Sequence, residues 1–248
     1  MVRLMTGSWL LKHLAALAVL ILLINLGFWQ LRRLEERRAF NQSMTAALNQ
    51  PPITLIGGPV DPADLHFRRV QVQGVFDNAA AIVIRNQMLG DRPGLHLVTP
   101  LRISGSDTAV LVDRGWIPRS NSDPEPASLT PYDLPGEVTV EGIAHQTQTR
   151  PSALAPLDPP LKEGQTRLVA WSRVDIERIQ EQVPYRLLPI FIKQLPASNA
   201  SADSLPRQDS ESNLGEGPHL GYAIQWFSFA TILVVTYGLF LRQETKTR

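Results

Sequence analysis

Residues Leu220 to Leu241 read LGYAIQWFSFATILVVTYGLFL, an apolar run that contains no charged side chain. A second apolar run, LAALAVLILLINLGF from Leu14 to Phe28, lies near the other end of the chain. A bilayer core of roughly 30 Å needs about 20 residues of α-helix. The later run meets that length outright, and the earlier one meets it when Lys12 extends to the headgroups. The sequence therefore predicts two membrane-spanning helices around a polar central region.

The earlier run has a second interpretation, a cleaved secretory signal. Arg3 and Lys12 resemble the basic segment that precedes the apolar part of such signals. Cleavage needs small residues after the apolar part, whereas this chain continues with Phe28-Trp-Gln-Leu-Arg32. The sequence therefore favours an anchor that is not cleaved.

The basic residues beside the two runs give conflicting orientations. Arg242, Lys246 and Arg248 follow the later run, which places the carboxyl terminus in the cytoplasm. Four arginines follow the earlier run and favour the opposite orientation: Arg32, Arg33, Arg37 and Arg38. Because a long loop crosses a membrane largely regardless of its charge, the later run carries more weight. We expect two spans in the cell inner membrane, both termini in the cytoplasm and the central domain in the periplasm.

Composition excludes several classes of function. The formal net charge of +1 gives no overall field that would attract nucleic acid, so we expect no nucleic-acid partner. The chain has no cysteine, which excludes disulfides and thiolate metal sites. Four methionines leave few soft ligands, so a copper chaperone is disfavoured.

The central region has the pattern of a β-rich domain. Residues 31–48 continue the first run as a polar helix, which Pro51 and Pro52 would end. Arg69 to Phe76 alternates apolar and polar residues, as a half-buried strand does. Further strand-like runs are Ala81 to Gln87, Leu95 to Ile103, Thr108 to Asp113, Glu137 to Ile143, Arg167 to Trp171 and Leu187 to Leu195. A capping-box-like segment, Ser172 to Asp175, would start a short helix that ends before Pro184.

These patterns predict an α+β membrane protein with two transmembrane helices flanking a soluble domain. The soluble domain would be a mostly antiparallel β-sheet or small barrel with one or two short helices. Residues 1–30 would hold the first span, 31–195 the β-rich domain, 219–241 the second span and 242–248 a tail. Residues 196–218 are rich in serine, asparagine and acidic side chains, which predicts a flexible linker.

Four segments resemble a known family. They are LGFWQLRR from Leu26 to Arg33, RVQVQGVFD from Arg69 to Asp77, the hairpin IRNQMLGDRPGLHLVTPL followed by VLVDRGWIP, and GPHLGYAIQWF from Gly217 to Phe227. In this order they resemble the surfeit locus protein 1 family, the membrane factors for cytochrome c oxidase assembly. The resemblance covers both apolar runs and the front half of the domain. Residues 118–135 and 196–218 match nothing in it.

The resemblance implies a function that composition and spacing do not give. It implies a non-enzymatic biogenesis factor, a chaperone of the respiratory chain, whose domain faces the periplasm or the intermembrane space. The expected partners are the largest subunit of cytochrome c oxidase and membrane lipid, with haem a synthase as a further candidate. Bacterial members of the family are linked to binding haem a, which would be held transiently.

The candidate cofactor site lies where the second span begins. At 100° a residue, His219, Tyr222 and Trp226 share one stripe of a helix. Neutral His219 would ligate haem iron axially, a second side chain would fix its tautomer, and the aromatic residues would pack against the macrocycle. The residues alone favour a different interpretation, an interfacial histidine within an aromatic belt. The resemblance favours the haem site, and His13 is too far along the first span to share it.

The remaining candidates are weaker. His66, His96 and His145 have no metal-ligand spacing and accompany no nucleophile motif. Asp113 to Trp116 would end a strand and present Arg114 to a haem propionate or a partner; the alternative is a strand-ending turn with a buried tryptophan. Arg92 would likewise either contact a ligand or partner, or have only a structural role.

Two amides within the apolar runs give a structural prediction. Asn25 and Gln225 lie at matching depths from the domain side of the two spans. An unpaired amide in hydrocarbon is costly, so we expect a hydrogen bond between them across the helices.

Three classes of function remain open. The favoured one is an assembly factor that receives haem a and places or stabilises it in the oxidase subunit. The second is a scaffold that holds the subunit without touching haem. The third is a membrane-tethered enzyme, disfavoured because the sequence shows no acid–base or nucleophile constellation.

Overall fold

The computed structural model describes residues 7–119, 125–150, 152, 158, 167–197, 204–208 and 215–246. These residues fall into two compact units, and the first helix passes from one to the other between Ser43 and Met44. One unit consists mainly of the two long terminal helices and the other is a β-domain. Each is described by itself.

The helical unit contains α1 (Gly7–Leu48) and α4 (His219–Lys246), which pack together. Both helices are long and apolar enough to cross a membrane. Their apolar side chains mostly face outward; Leu17 and Val234, for example, are 52% and 54% exposed. An outward apolar surface of this kind is suited to lipid rather than water. The predicted pair of long apolar helices is therefore confirmed.

Small residues bring the two helices together. Ala223 and Ala230 of α4 are almost fully buried. Gly27 of α1 faces the ring of Phe227, and a Cβ at Gly27 would lie only 2.7 Å from that ring. Phe227 also packs edge to face on Phe28, with ring centroids 5.4 Å apart. Without side chains at such positions two helix backbones can approach closely, and dispersion then holds them together.

The described residues of the β-domain form eight strands and two short helices. The strands are β1 (Ile53–Leu55), β2 (Arg69–Phe76), β3 (Ile82–Leu89), β4 (Arg92–Ile103), β5 (Thr108–Pro118), β6 (Glu137–Gln146), β7 (Ala170–Trp171) and β8 (Arg186–Gln194). The helices are α2 (Pro62–Leu65) and α3 (Ile176–Gln180), and 3₁₀ turns cover Asn78–Ala80 and Pro126–Tyr132.

Five of the strands close into a small barrel. Its order is β2-β6-β8-β5-β4, and pairing of β2 with β4 closes the ring. The pair β5–β8 is parallel and the other barrel pairs are antiparallel. Outside the ring, β1 extends β2, while β3 extends β4 and carries β7. The predicted mostly antiparallel barrel with short helices is confirmed.

Alternation along the strands builds the core. Arg69 to Phe76 forms β2 with the predicted bounds, and Val70 and Val72 are fully buried. They pack with Leu101, Val112 and Ile190 from the facing strands. A strand that alternates in this way places every second side chain inside the barrel and leaves the others to solvent.

Two predictions of local structure were wrong, and part of the predicted linker makes a contact that its composition did not indicate. Strand β5 continues past Asp113 to Pro118, because Gly115 (φ +115°) absorbs a register shift as a bulge instead of ending the strand. Helix α3 is capped by Asp175, whose side chain accepts from the Arg178 backbone N–H, so Ser172 is not the cap. Within the predicted linker, residues 204–208 are attached to the barrel, since the backbones of Arg207 and Trp116 exchange two hydrogen bonds of 2.8 Å.

Candidate haem site at the end of the helix pair

A cross-helix hydrogen bond lies at the start of α4. The His219 ring nitrogen Nδ1 is 2.9 Å from Oε1 of Gln30 on α1. Gln30 is only 8% exposed, and His219 is half-buried. The pair lies at the end of the helix contact that Gly27, Phe227 and Ala223 form.

This hydrogen bond fixes the chemistry of the imidazole. Because an amide oxygen only accepts, Nδ1 of His219 carries the proton and donates it to Gln30. In the neutral ring the second nitrogen, Nε2, then carries the lone pair through which a histidine ligates a metal. Gly217, at φ +70°, lies beside that nitrogen: a Cβ there would be 3.5 Å from Nε2. A side chain at position 217 would therefore crowd the ligating edge.

The two aromatic residues of the predicted site point to the outer side of the helix pair. Tyr222 is 48% exposed and Trp226 is half-buried, whereas Ala223 between them is buried. Trp226 also packs edge to face on Phe229 at 6.1 Å. The structure thus places His219 and Trp226 about two turns apart on one helix, with Tyr222 at the exposed margin of the same stripe.

An ion pair joins α1 to the segment just before α4. Arg38 forms a two-pronged interaction with Glu216, at 2.8 and 2.9 Å, and Arg37 donates to the Gly215 carbonyl at 3.2 Å. The hydrogen bond from Arg38 holds the pKa of the Glu216 carboxyl below its usual range. The interaction is therefore complete above the ordinary glutamate pKa and is lost as the pH falls. Arg37 and Arg38 hold the segment that leads into His219.

The predicted pairing of Asn25 with Gln225 is wrong. Both side chains are exposed, and Asn25 Nδ2 donates 2.8 Å to the Ile21 carbonyl of its own helix. An amide can meet its own helix's carbonyl, so depth alone does not specify a partner on the other helix. At the far end of the helices His13 Nδ1 and Tyr237 Oη, 2.6 Å apart, form a second cross-helix pair.

Arg114 is buried within the β-domain, so the structure supports the alternative interpretation over presentation to a ligand. Its side chain is 3% exposed, donates 2.6 Å to the Tyr132 carbonyl and lies 4.8 Å above the Phe76 ring. Burial lowers the pKa of Arg114. Trp116 is buried, as the alternative interpretation required, and Arg92 lies over its ring at 5.9 Å.

The domain histidines contact other residues of the β-domain. His96 Nδ1 is 2.8 Å from Asp113 Oδ2 on the neighbouring strand. His66 and His145 contact edge to face at 5.9 Å. Within the part of the chain that the structure describes, no three His, Cys, Asp or Glu side chains form a group that could hold a metal ion.

Gln30 is the site residue that sequence reasoning missed. It follows the apolar run within LGFWQLRR, one of the four segments on which the family resemblance rests. A polar side chain between Trp29 and Leu31 at the end of a span was the available signal, because such a group needs a partner once buried.

The two helices and the barrel together define a class of protein. Two apolar helices of membrane-spanning length, joined by polar pairs at both ends, accompany a small mixed β-barrel in one chain. This is a candidate membrane-anchored barrel protein with a histidine at one end of its helix pair.

Comparison with known proteins gives the family. The model of the SURF1 family matches residues 17–231, and the chain belongs to that family. Similar proteins include the SURF1-like protein of Rickettsia bellii, 28% identical over 244 residues that cover 95% of each chain. The SURF1-like protein of Monosiga brevicollis is 24% identical over 244 residues, 94% of this chain and 88% of its own. Surfeit locus protein 1 of Mus musculus is 25% identical over 234 residues, 89% and 71% of the two chains. Membership implies a role in cytochrome oxidase assembly.

Proposed function

We propose that this protein is a non-catalytic assembly factor for cytochrome c oxidase that binds haem a at His219 and helps to place or stabilise it in the largest oxidase subunit. The observation that carries the proposal is the hydrogen bond from His219 Nδ1 to Gln30 Oε1. In the neutral imidazole this bond would leave Nε2 available as the ligating nitrogen, and such a hydrogen bond from the second ring nitrogen is the usual companion of a metal-bound histidine.

The surroundings of His219 fit a large planar group. Gly217 leaves the Nε2 edge without a side chain, and the adjoining outer face of α4 is lined by exposed Tyr222 and half-buried Trp226. His219 would supply the axial bond to iron, and the two aromatic residues would supply contact area. Bound haem a would supply the redox-active iron that the oxidase needs.

The proposed orientation in the membrane is based on the basic residues that follow the second span. The two candidate spans would lie in the cell inner membrane with both termini in the cytoplasm and the barrel in the periplasm. The largest oxidase subunit would be the receiving partner, and haem a synthase is the candidate donor.

The experiment that tests the proposal measures haem on the purified protein. The full chain is expressed in cells that synthesise haem a and purified in a neutral detergent, and its Soret band is recorded. We expect a band for wild type and its loss in His219→Ala. His13→Ala is the matched control, since it removes the histidine of the other cross-helix pair. Equal haem content in wild type and His219→Ala would leave the alternative, a scaffold that holds the oxidase subunit without haem.

A further inference from the structure

The β-domain contains a basic cleft that the proposed function does not use. It has a volume of about 390 Å³ and lies between the β3–β4 hairpin, the end of β5 and residues 204–207. That volume is within the usual range for small-ligand sites, about 300–1,000 Å³. Among the described residues that line it, three are arginines, Arg92, Arg119 and Arg207, and none is an aspartate or glutamate.

The arginines are not neutralised by the described part of the domain. Among the described residues, none of the three guanidinium groups forms an ion pair with an aspartate or glutamate. Elsewhere in the same domain arginines do find such partners: Arg69 pairs with Glu141 and Arg178 with Asp158. Three like charges around one cleft repel each other, and a bound anion would relieve that repulsion.

The floor of the cleft is built by close backbone contacts. Trp116 lies against Gly94, where a Cβ would come within 2.1 Å of the indole Nε1. Residues 204–208 are brought in over Gly115, where a Cβ would lie 2.4 Å from the Arg207 carbonyl oxygen. Two glycines thus permit the approach that places Trp116 and Arg207 together in the lining of one cleft. Side chains at either position would push these walls apart.

The walls combine charge with apolar surface. Leu89, Trp116 and Leu205 line the cleft together with the arginines, and Arg92 lies over the Trp116 ring at 5.9 Å. A guanidinium fork recognises a carboxylate or phosphate through paired N–H donors. The apolar surface would bind the body of a molecule that carries such a group.

We propose that this cleft binds an organic anion in which a carboxylate or phosphate is attached to a compact apolar body. The site lies wholly within the β-domain and does not depend on His219. Two sources can supply this chemistry, a soluble carboxylic acid and the headgroup region of an anionic lipid.

The test uses the full chain in nanodiscs of phosphatidylcholine, with 2-naphthoate as the probe and calorimetry as the readout. The neutral alcohol 2-naphthylmethanol has the same ring system without the charge. We expect wild type to bind 2-naphthoate at least ten-fold more tightly than the alcohol. Arg92→Gln and Arg207→Gln should each weaken 2-naphthoate binding about ten-fold, since each removes a charge-assisted hydrogen bond.

Two control variants separate a loss of anion binding from a defect in folding. Arg186→Gln removes an exposed arginine at the start of β8, away from the cleft, and should bind 2-naphthoate as wild type does. Arg92→Lys keeps the charge without the planar fork and should bind with intermediate affinity.

Nanodiscs that contain phosphatidylglycerol identify the source of the anion. Loss of 2-naphthoate binding in these nanodiscs assigns the cleft to a lipid headgroup, and retained binding assigns it to a soluble anion. Equal affinity for 2-naphthoate and its alcohol, or wild-type affinity in both glutamine variants, would overturn the proposal.

Discussion

His219 on α4 and Gln30 on α1 are 189 residues apart in sequence and joined by a 2.9 Å hydrogen bond between Nδ1 and Oε1. The bond sets the tautomer of the histidine, and it ties the start of one helix to the other. A histidine at a membrane boundary needs no such partner, because water and headgroups can satisfy it. The hydrogen bond to buried Gln30 is therefore the observation that supports the proposed ligand role over an ordinary interfacial side chain.

Replacing Gln30 with leucine tests that distinction. Gln30→Leu leaves His219 in place but removes the acceptor for its Nδ1–H, so we expect haem a affinity to fall about 10- to 100-fold. The measurement is the ratio of haem to protein after purification, together with the position of the Soret band. Gln225→Leu makes the same change at an exposed position of α4 and should retain wild-type haem. Equal loss in both variants would show that the glutamines act only on folding.

The contact between Gly27 and Phe227 gives a prediction on helix packing. A Cβ at Gly27 would lie 2.7 Å from the Phe227 ring, so Gly27→Ala should destabilise the helix pair by about 1–3 kcal/mol through overpacking. Thermal unfolding in neutral micelles, followed by near-ultraviolet circular dichroism, reports this loss. Gly238→Ala has open space at its Cβ and should change little. Phe227→Leu should restore part of the stability of Gly27→Ala, and failure of this rescue would assign the defect to another cause.

The sequence predicted the parts of this fold that depend on local pattern. Unbroken apolar runs specified α1 and α4, and strict alternation specified β2 with its exact bounds. The end of β5 was missed, because Gly115 is also a common strand breaker. Whether a glycine ends a strand or forms a bulge depends on the neighbouring strand, which the local sequence does not contain.

Part of the candidate site could likewise be predicted from local sequence, and part could not. His219, Tyr222 and Trp226 could be predicted, because they lie within one helix and share one stripe. The partner of His219 could not, because Gln30 and Asn25 are both amides near the end of the first span and only the packing of the helices chooses between them. The two interpretations of Arg114 stayed open for a similar reason: its burial depends on Phe76 and Tyr132, which come from other parts of the chain.

The buried position of Arg114 predicts a role in stability. Arg114→Met removes the donor to the Tyr132 carbonyl and the charge above the Phe76 ring, so we expect a loss of about 1–3 kcal/mol. The loss should be seen as a lower denaturant midpoint with haem content per folded protein unchanged. Arg186→Met alters an exposed arginine and should keep the wild-type midpoint. A variant Arg114→Met that is fully stable but loses an oxidase partner would instead support the role in binding that the sequence suggested.

Tyr185 predicts how the barrel responds to high pH. Burial, and then the 2.8 Å hydrogen bond from its hydroxyl to Asp77, raise the pKa of Tyr185 above its ordinary value of 10.0. The neutral phenol is thus stabilised in the folded state, and its contribution is complete below about pH 10 and is lost as the pH rises further. Tyr185→Phe should be less stable than wild type at neutral pH and show a smaller decline above about pH 10. Denaturant unfolding at a series of pH values measures both, and parallel curves for the two proteins would contradict the assignment.

The last prediction concerns orientation, on which the location of every proposed site depends. Arg242, Lys246 and Arg248 follow the second span and should hold the carboxyl terminus in the cytoplasm. A fluorescent protein that matures only in the cytoplasm should therefore be active when fused after Arg248, and a phosphatase that is active only in the periplasm should not. Insertion of the two reporters after Gly105, an exposed turn between β4 and β5 with open space around it, should give the reverse pattern.

The same fusions test the cause of that orientation. Replacing the three basic residues with glutamine removes the positive charge after the second span, while the four arginines after the first span remain. If the basic tail decides the orientation, this variant should shift part of the population to the inverted form, and phosphatase activity at the carboxyl terminus should rise. A carboxyl terminus that is periplasmic in the unaltered protein would place the barrel in the cytoplasm and contradict the proposed orientation.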